Sequence, residues 1–215
     1  MIHHIISINK HSIVAITLFI IMTTFTSFVI AEPINIVTSC TKIISKRNIQ
    51  YNAIPTFKTL NLALEKYVEG DIVCLADSKQ SMISIENFDS GSKPLTIRPL
   101  HYLGTIIKNR DYKGTGITVK RSNGIIIDGL IISGGLSAIL IQDSSNISLL
   151  SNRVFDIGNQ AISIKPRYHG GSHYLIEDNI IFNTGRLHPR YGEGLYIGDG
   201  SYTKDKSRLK IQYTV

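Results

Sequence analysis

Three stretches of the chain superpose: Ile125-Ile-Ile-Asp-Gly129, Ile147-Ser-Leu-Leu-Ser-Asn152 and Tyr174-Leu-Ile-Glu-Asp-Asn179. Each ends on Gly or Asn, residues that tolerate the left-handed backbone region. Six residues beyond each lies a second glycine, Gly135, Gly158 or Gly185, and the run between is apolar or alternating. A further short strand pattern follows, as Gly116-Ile-Thr-Val, Ala138-Ile-Leu-Ile, Ala161-Ile-Ser-Ile and Gly194-Leu-Tyr-Ile. The unit is three short strands joined by two bends and a turn, recurring every 22 or 23 residues before it lengthens.

Such strands cannot bury an apolar face alone. Stacked coil on coil, each pairs in parallel with its copy one turn away, and branched side chains fill a continuous interior. The pattern predicts an all-β, right-handed parallel β-helix. Its inward rows are Ile117/Val119, Ile139/Ile141, Ile162/Ile164 and Leu195/Ile197, with Asn152 and Asn179 one above the other at a bend. A leucine-rich solenoid would need a regular Leu-x-x-Leu-x-Leu, which is missing. A doubly wound α/β fold would need helices between strands, and no amphipathic helix pattern follows residue 70.

An N-terminal capping helix is predicted from Phe57, Leu60, Leu64, Tyr67 and Val68, with Thr56 as its N-cap and Gly70 as its stop. Asp71-Ile-Val-Cys-Leu75 reads as the first strand. Residues 1–31 read as a signal peptide: a charge-free run from Ile13 to Ile30 closes on Val29-Ile-Ala31 before Glu32-Pro33. The rival reading is an uncleaved membrane anchor. Residues 32–55 form an N-terminal segment and 56–215 the β-helix domain. In an oxidising compartment Cys40 and Cys74 are a candidate disulfide; the alternative is that Cys74 is a small buried apolar residue. Asn146-Ile-Ser148 is an N-glycosylation sequon.

The order of helix, Gly70-Asp-Ile-Val-Cys-Leu75, Ser92-Lys-Pro-Leu-Thr-Ile97, repeats and Gly192-Glu-Gly-Leu-Tyr-Ile-Gly198 resembles secreted right-handed β-helix repeat proteins of the pectin-lyase-like superfamily. The resemblance spans roughly residues 56 to 200 and implies the fold. It implies less about function, because that superfamily includes lyases, hydrolases, esterases and adhesins. The calcium-binding aspartate clusters and arginine settings of pectate lyases have no counterpart here, so no catalytic role transfers residue by residue.

Strand alternation places two columns on the outward face of the third strand. One is Thr118, Leu140, Ser163 and Tyr196; the other is Lys120, Gln142, Lys165 and Gly198. The bland alternative is an ordinary solvated sheet face. Two enlarged loops sharpen the location: Pro166-Arg-Tyr-His-Gly-Gly171 and Arg186-Leu-His-Pro-Arg-Tyr-Gly-Glu193 interrupt the repeat beside that face. Lys165, Arg167 and Arg190 are the candidate catalytic cations, with Lys165 as base and Tyr196 or His188 as acid. Lys120, Gln142, Arg186 and Tyr196 are the candidate substrate contacts. Glu193 and Asp199 are the carboxylates available to calcium, although two oxygen donors are fewer than calcium takes. His169 and His173 straddle two glycines in a loop and lack helical metal-site spacing.

After removal of the leader the net charge is +6, which suits an acidic polysaccharide. No basic run or aromatic–basic interleaving points to nucleic acid. A secreted monomer with no lasting membrane span is expected. The end, Arg208 to Val215, alternates like a strand with no closing cap, and reads as a truncation before further coils. Two functions follow: a lyase cleaving a uronate glycan by β-elimination, or a non-catalytic carbohydrate-binding surface protein.

Overall fold

The computed structural model describes residues 39–198, without 48, 50, 52 and 110. The proposed leader and the last strand lie outside the described residues. Within them the chain winds through three parallel sheets of seven, five and five strands, beginning with β1 (Lys42–Ile44), β2 (Thr56–Phe57), β3 (Ile72–Leu75), β4 (Lys79–Gln80), β5 (Ile83–Glu86), β6 (Leu95–Pro99), β7 (Ile106–Asn109) and β8 (Thr115–Lys120). One coil shows the plan. The first sheet contributes β9 (Asn123–Asp128), the second β10 (Ile131–Gly134) and the third β11 (Ser137–Gln142). The next coil repeats it as β12 (Ser145–Leu150), β13 (Arg153–Phe155) and β14 (Ile162–Lys165). The last described coil is β15 (Tyr174–Glu177), β16 (Ile180–Phe182) and β17 (Leu195–Ile197).

Register explains the isoleucine content. In the third sheet Ile117, Ile139, Ile162 and Leu195 align, as do Val119, Ile141, Ile164 and Ile197. In the first sheet Ile125 aligns with Ile147, and Ile127 with Leu149. Except at the last coil, these side chains are buried to within 1%. Branched residues suit extended backbone, and each full burial removes about 1.5–3 kcal/mol of apolar exposure. The inward rows therefore fall where alternation placed them.

The corner after the first sheet differs by one residue from the superposition above. Leu150 pairs with Asp128 and with Glu177, so Gly129 stands over Ser151 and Asp178, not over the asparagines. Those three take left-handed φ values of 65°, 51° and 53°. Asn152 and Asn179 follow the bend and turn inward, and Asn152 is fully buried. Its Oδ1 accepts from Leu130 N, and its Nδ2 donates to Ile127 O, both at 3.0 Å. The preceding residue carries the unusual backbone because the asparagine amide has to reach main-chain groups inside the turn.

The N-terminal end also departs from expectation. The first described strand is β1 (Lys42–Ile44), which pairs with the strand at Ile72–Leu75. Thr56 and Phe57 form a short strand beside it and do not start a helix. The helix, α1, runs only over Leu60–Leu64, with the Thr59 hydroxyl accepting from Leu62 N as N-cap. Thr56 was the wrong threonine because its backbone is used in β pairing. Val68 is exposed, while Leu60, Leu64 and Tyr67 pack on the end of the core. Cys40 and Cys74 are joined in a disulfide that ties the first segment to the strand at Ile72–Leu75.

Candidate functional site

The outward columns of the third sheet assemble as alternation requires. Leu140 lies between Thr118 and Ser163, Ser163 beside Tyr196, and Gln142 between Lys120 and Lys165. The columns are unequal in character. Ser163 is 1% exposed, with its Oγ buried, whereas Lys120, Gln142, Lys165 and Tyr196 are half-buried. Lys165 Nζ stands 5.8 Å from the centroid of the Tyr196 ring on the neighbouring strand, within cation–π range. Lys120 is 3.9 Å from Glu86, which also meets Arg121 at 3.6 Å. Glu86 thus offsets positive charge at the Lys120 end of the column.

The two enlarged loops bracket this face from opposite edges. Residues 166–173 leave the C-terminal end of β14, and residues 183–194 lead into the N-terminal end of β17. A strand of four residues is about 13 Å long, which sets the width between them. The first loop is pinned to the preceding coil. Asp143 Oδ1 accepts from the backbone of Tyr168 at 2.9 Å and His169 at 3.3 Å, and Ser145 Oγ accepts from Ser172 N at 3.1 Å. Arg167 is exposed beside these anchors.

The second loop lies on the corner before β14. Arg186 N donates to Ile157 O at 2.9 Å, and Leu187 N and His188 N donate to Gly158 O. His188 Nδ1 is 2.7 Å from Asn159 Oδ1, so Asn159 orients the imidazole. A single 3-10 turn, Pro189–Tyr191, then exposes Arg190, whose guanidinium carbon is 5.9 Å from the Tyr191 ring centroid. Arg186 is exposed at the same edge. Long loops on a rigid scaffold hold polar groups in fixed positions, as a binding surface requires.

The candidate residues therefore divide. Lys165 and Tyr196 meet on the face; Arg167 stands at one edge, Arg186, His188 and Arg190 at the other; Lys120 and Gln142 extend the column along the helix axis. Sequence reasoning missed Asn159 and Asp143, which orient His188 and anchor the first loop. Neither carries a motif, because each acts across one full coil.

Of the two carboxylates offered to calcium, one is described. Glu193 is exposed, and its backbone carbonyl accepts from Ala161 N at 3.0 Å. Asp199 lies outside the described residues. Among the described residues no three His, Cys, Asp or Glu side chains gather to hold a metal ion. No helix of the described residues is long and apolar enough to cross a membrane. Asn146 is exposed at the corner between the third and first sheets, its Nδ2 donating to Asn123 Oδ1 at 2.7 Å.

Comparison with known proteins agrees with the fold. The family described as a right handed beta helix region matches residues 69–212. Among solved structures, the crystal structure of alginate lyase from Paenibacillus sp. str. FPU-7 is similar, at 25% identity and a TM-score of 0.54. The alignment covers 65% of this chain and 47% of that one, so the chain spans about half the length of the lyase. No curated protein matches the chain.

Proposed function

The chain belongs to the right-handed β-helix family, and from that premise we propose that it is a secreted lyase cleaving an acidic, uronate-containing polysaccharide by β-elimination. The observation that carries the reading is the likeness to an alginate lyase, on a fold whose third sheet presents Lys165 beside Tyr196 between two arginine-bearing loops. The disulfide supports secretion, because such bonds persist in oxidising compartments. Residues 1–31 supply the leader.

The chemistry needs a base at the carbon next to the carboxyl group, cations on that carboxylate, and a proton for the departing sugar oxygen. In the elimination the Lys165 amine takes the proton at C5. The electron pair moves into the carboxylate, where Arg167, Arg186 or Arg190 stabilises the enolate charge. Expulsion of the C4 oxygen then leaves a C4–C5 double bond. The Tyr196 phenol protonates the leaving oxygen, and solvent carries the proton from Lys165 back to the phenolate after the product leaves. Lys120 and Gln142 contact neighbouring sugars along the helix axis. No step requires calcium.

Full-length protein incubated with alginate, pectate and a glycosaminoglycan tests this directly. The expected result is rising ultraviolet absorbance from the unsaturated uronate on at least one polymer. Lys165→Ala should slow that rise about 100-fold or more, as loss of a general base does. Salt-sensitive binding with no absorbance on any polymer would assign the non-catalytic binding role instead.

A further inference from the structure

A second groove lies on a different face. It has a volume of about 480 Å³ and runs over the outward side of the first sheet, near the corner where each coil leaves the third. Its floor is the aligned column Ile126, Ser148 and Leu175, the last 48% exposed. Its rim is a ladder of polar side chains. Asn123 Nδ2 donates to Asp89 Oδ1 at 3.0 Å, and Asn146 Nδ2 donates to Asn123 Oδ1 at 2.7 Å. No Lys, Arg, Asp or Glu lines the groove itself.

One polar atom there is unaccounted for. Ser90 lines the groove and is 1% exposed; its Oγ is buried with no hydrogen bond of good geometry, although the Tyr67 hydroxyl lies nearby. A buried hydroxyl without a partner costs about 1–3 kcal/mol, so its persistence needs a reason. The hydroxyl lies against Gly124, which has φ +71° and also lines the groove; a Cβ at Gly124 would fall 1.9 Å from Ser90 Oγ. Glycine thus keeps open the space where the hydroxyl sits.

We propose that this groove is a second carbohydrate site, taking a neutral oligosaccharide along the helix axis. An apolar floor suits the C–H face of a pyranose ring, and an amide ladder suits its hydroxyl groups. Successive coils are about 4.8 Å apart, close to the rise of one hexose in an extended glycan, so rungs and sugars keep pace. With no Lys or Arg in the lining and the Asp89 carboxylate at the rim, the groove favours a neutral sugar over the uronate proposed for the lysine face, since a ligand carboxylate would lose hydration there without gaining a Lys or Arg partner. A small shift of the groove wall at Gly124, which carries no side chain, lets a ligand hydroxyl reach the Ser90 Oγ.

Calorimetric titration of the full chain, made without glycosylation, with cellohexaose, mannohexaose, maltohexaose and hexamannuronate tests the assignment. At least one neutral hexasaccharide should bind, with affinity unchanged between low and high salt, and more tightly than hexamannuronate. Ser148→Trp, which fills the floor, should weaken it roughly tenfold or more. Ser90→Ala should also weaken it several-fold while leaving the unfolding midpoint equal or higher, the reverse of what loss of a structural hydroxyl does. Absence of binding by all three neutral sugars overturns the proposal. So does binding that survives both substitutions, or tighter binding of the charged sugar in the same groove.

Discussion

Asn179 Oδ1 accepts two hydrogen bonds from Asn152, one from its backbone N–H and one from its side-chain amide, each at 3.0 Å across 27 residues of sequence. The pair links two coils at a bend where the chain has few other ways to satisfy buried main-chain groups. Replacing Asn152 by leucine, the residue at the equivalent place one coil earlier, strands Leu130 N–H and Ile127 C=O. Urea unfolding should show a loss of roughly 2–4 kcal/mol. The left-handed residue before Asn179 answers differently: Asp178→Gly should be neutral or slightly stabilising, and Asp178→Val should cost about 1–3 kcal/mol. Equal effects of the two Asp178 substitutions would contradict the register.

Cys40 and Cys74 close a loop of 34 residues. Chain entropy assigns such a cross-link about 3–4 kcal/mol. Replacing both cysteines by alanine should lower the unfolding free energy by that order, and added reductant should then have no further effect on the variant. An unchanged midpoint would show that the end of the solenoid does not unfold with the rest.

Two groups set opposite pH limits. Burial by itself raises the Asp71 carboxyl, but hydrogen bonds from Lys42, Thr41 and the Val68 amide hold it below the usual carboxylate range. A depressed folded pKa contributes stability above the unfolded value near 4 and loses it as pH falls through the folded one. Asp71→Asn should therefore flatten the acid limb of a midpoint-against-pH curve while lowering the plateau. Burial pushes the Tyr174 phenol up to about 12, with the Asp143 charge adding to it, and the hydroxyl donates to Ser144 O at 2.7 Å. A raised folded pKa keeps its contribution below pH 10 and loses it between about pH 10 and 12. Tyr174→Phe should lessen the fall across that window.

Binding of an acidic oligosaccharide to the lysine face should weaken as salt rises, since exposed charges are screened over about 8–10 Å. Lys165→Ala with Arg190→Ala should reduce that binding far more than Lys66→Ala with Lys93→Ala, which removes equal charge from exposed positions elsewhere. Lys42 is unsuitable as a control, because it is buried against Asp71 and its loss would leave that carboxylate unpaired. Equal losses from the two pairs would show that net charge alone governs binding.

Asn146 is exposed and begins a sequon, so expression in a eukaryotic secretory host should add a mass that an endoglycosidase removes and that Asn146→Gln abolishes. The glycan would stand on the rim of the neutral groove. The glycosylated form should accordingly lose affinity for neutral hexasaccharides, and enzymatic deglycosylation should restore it.

Period and alternation in the sequence determined the solenoid, the inward isoleucine rows and the outward columns ending in Lys165 and Tyr196. A strand's two-residue period fixes which side chains share a face, and a repeat fixes which strands are neighbours. Corners were less legible. Gly129, Asn152 and Asn179 look equivalent as letters, yet backbone pairing shifts the glycine by one, because left-handed geometry and an inward amide are separate requirements met by adjacent residues. Thr56 reads as the helix cap in sequence, but β pairing claims it and Thr59 caps the helix instead. Only the tertiary structure set Asn159 against His188, and Ser90 against Gly124 beneath the asparagine ladder. Those contacts join residues from different coils through irregular segments, where no period carries information along the chain.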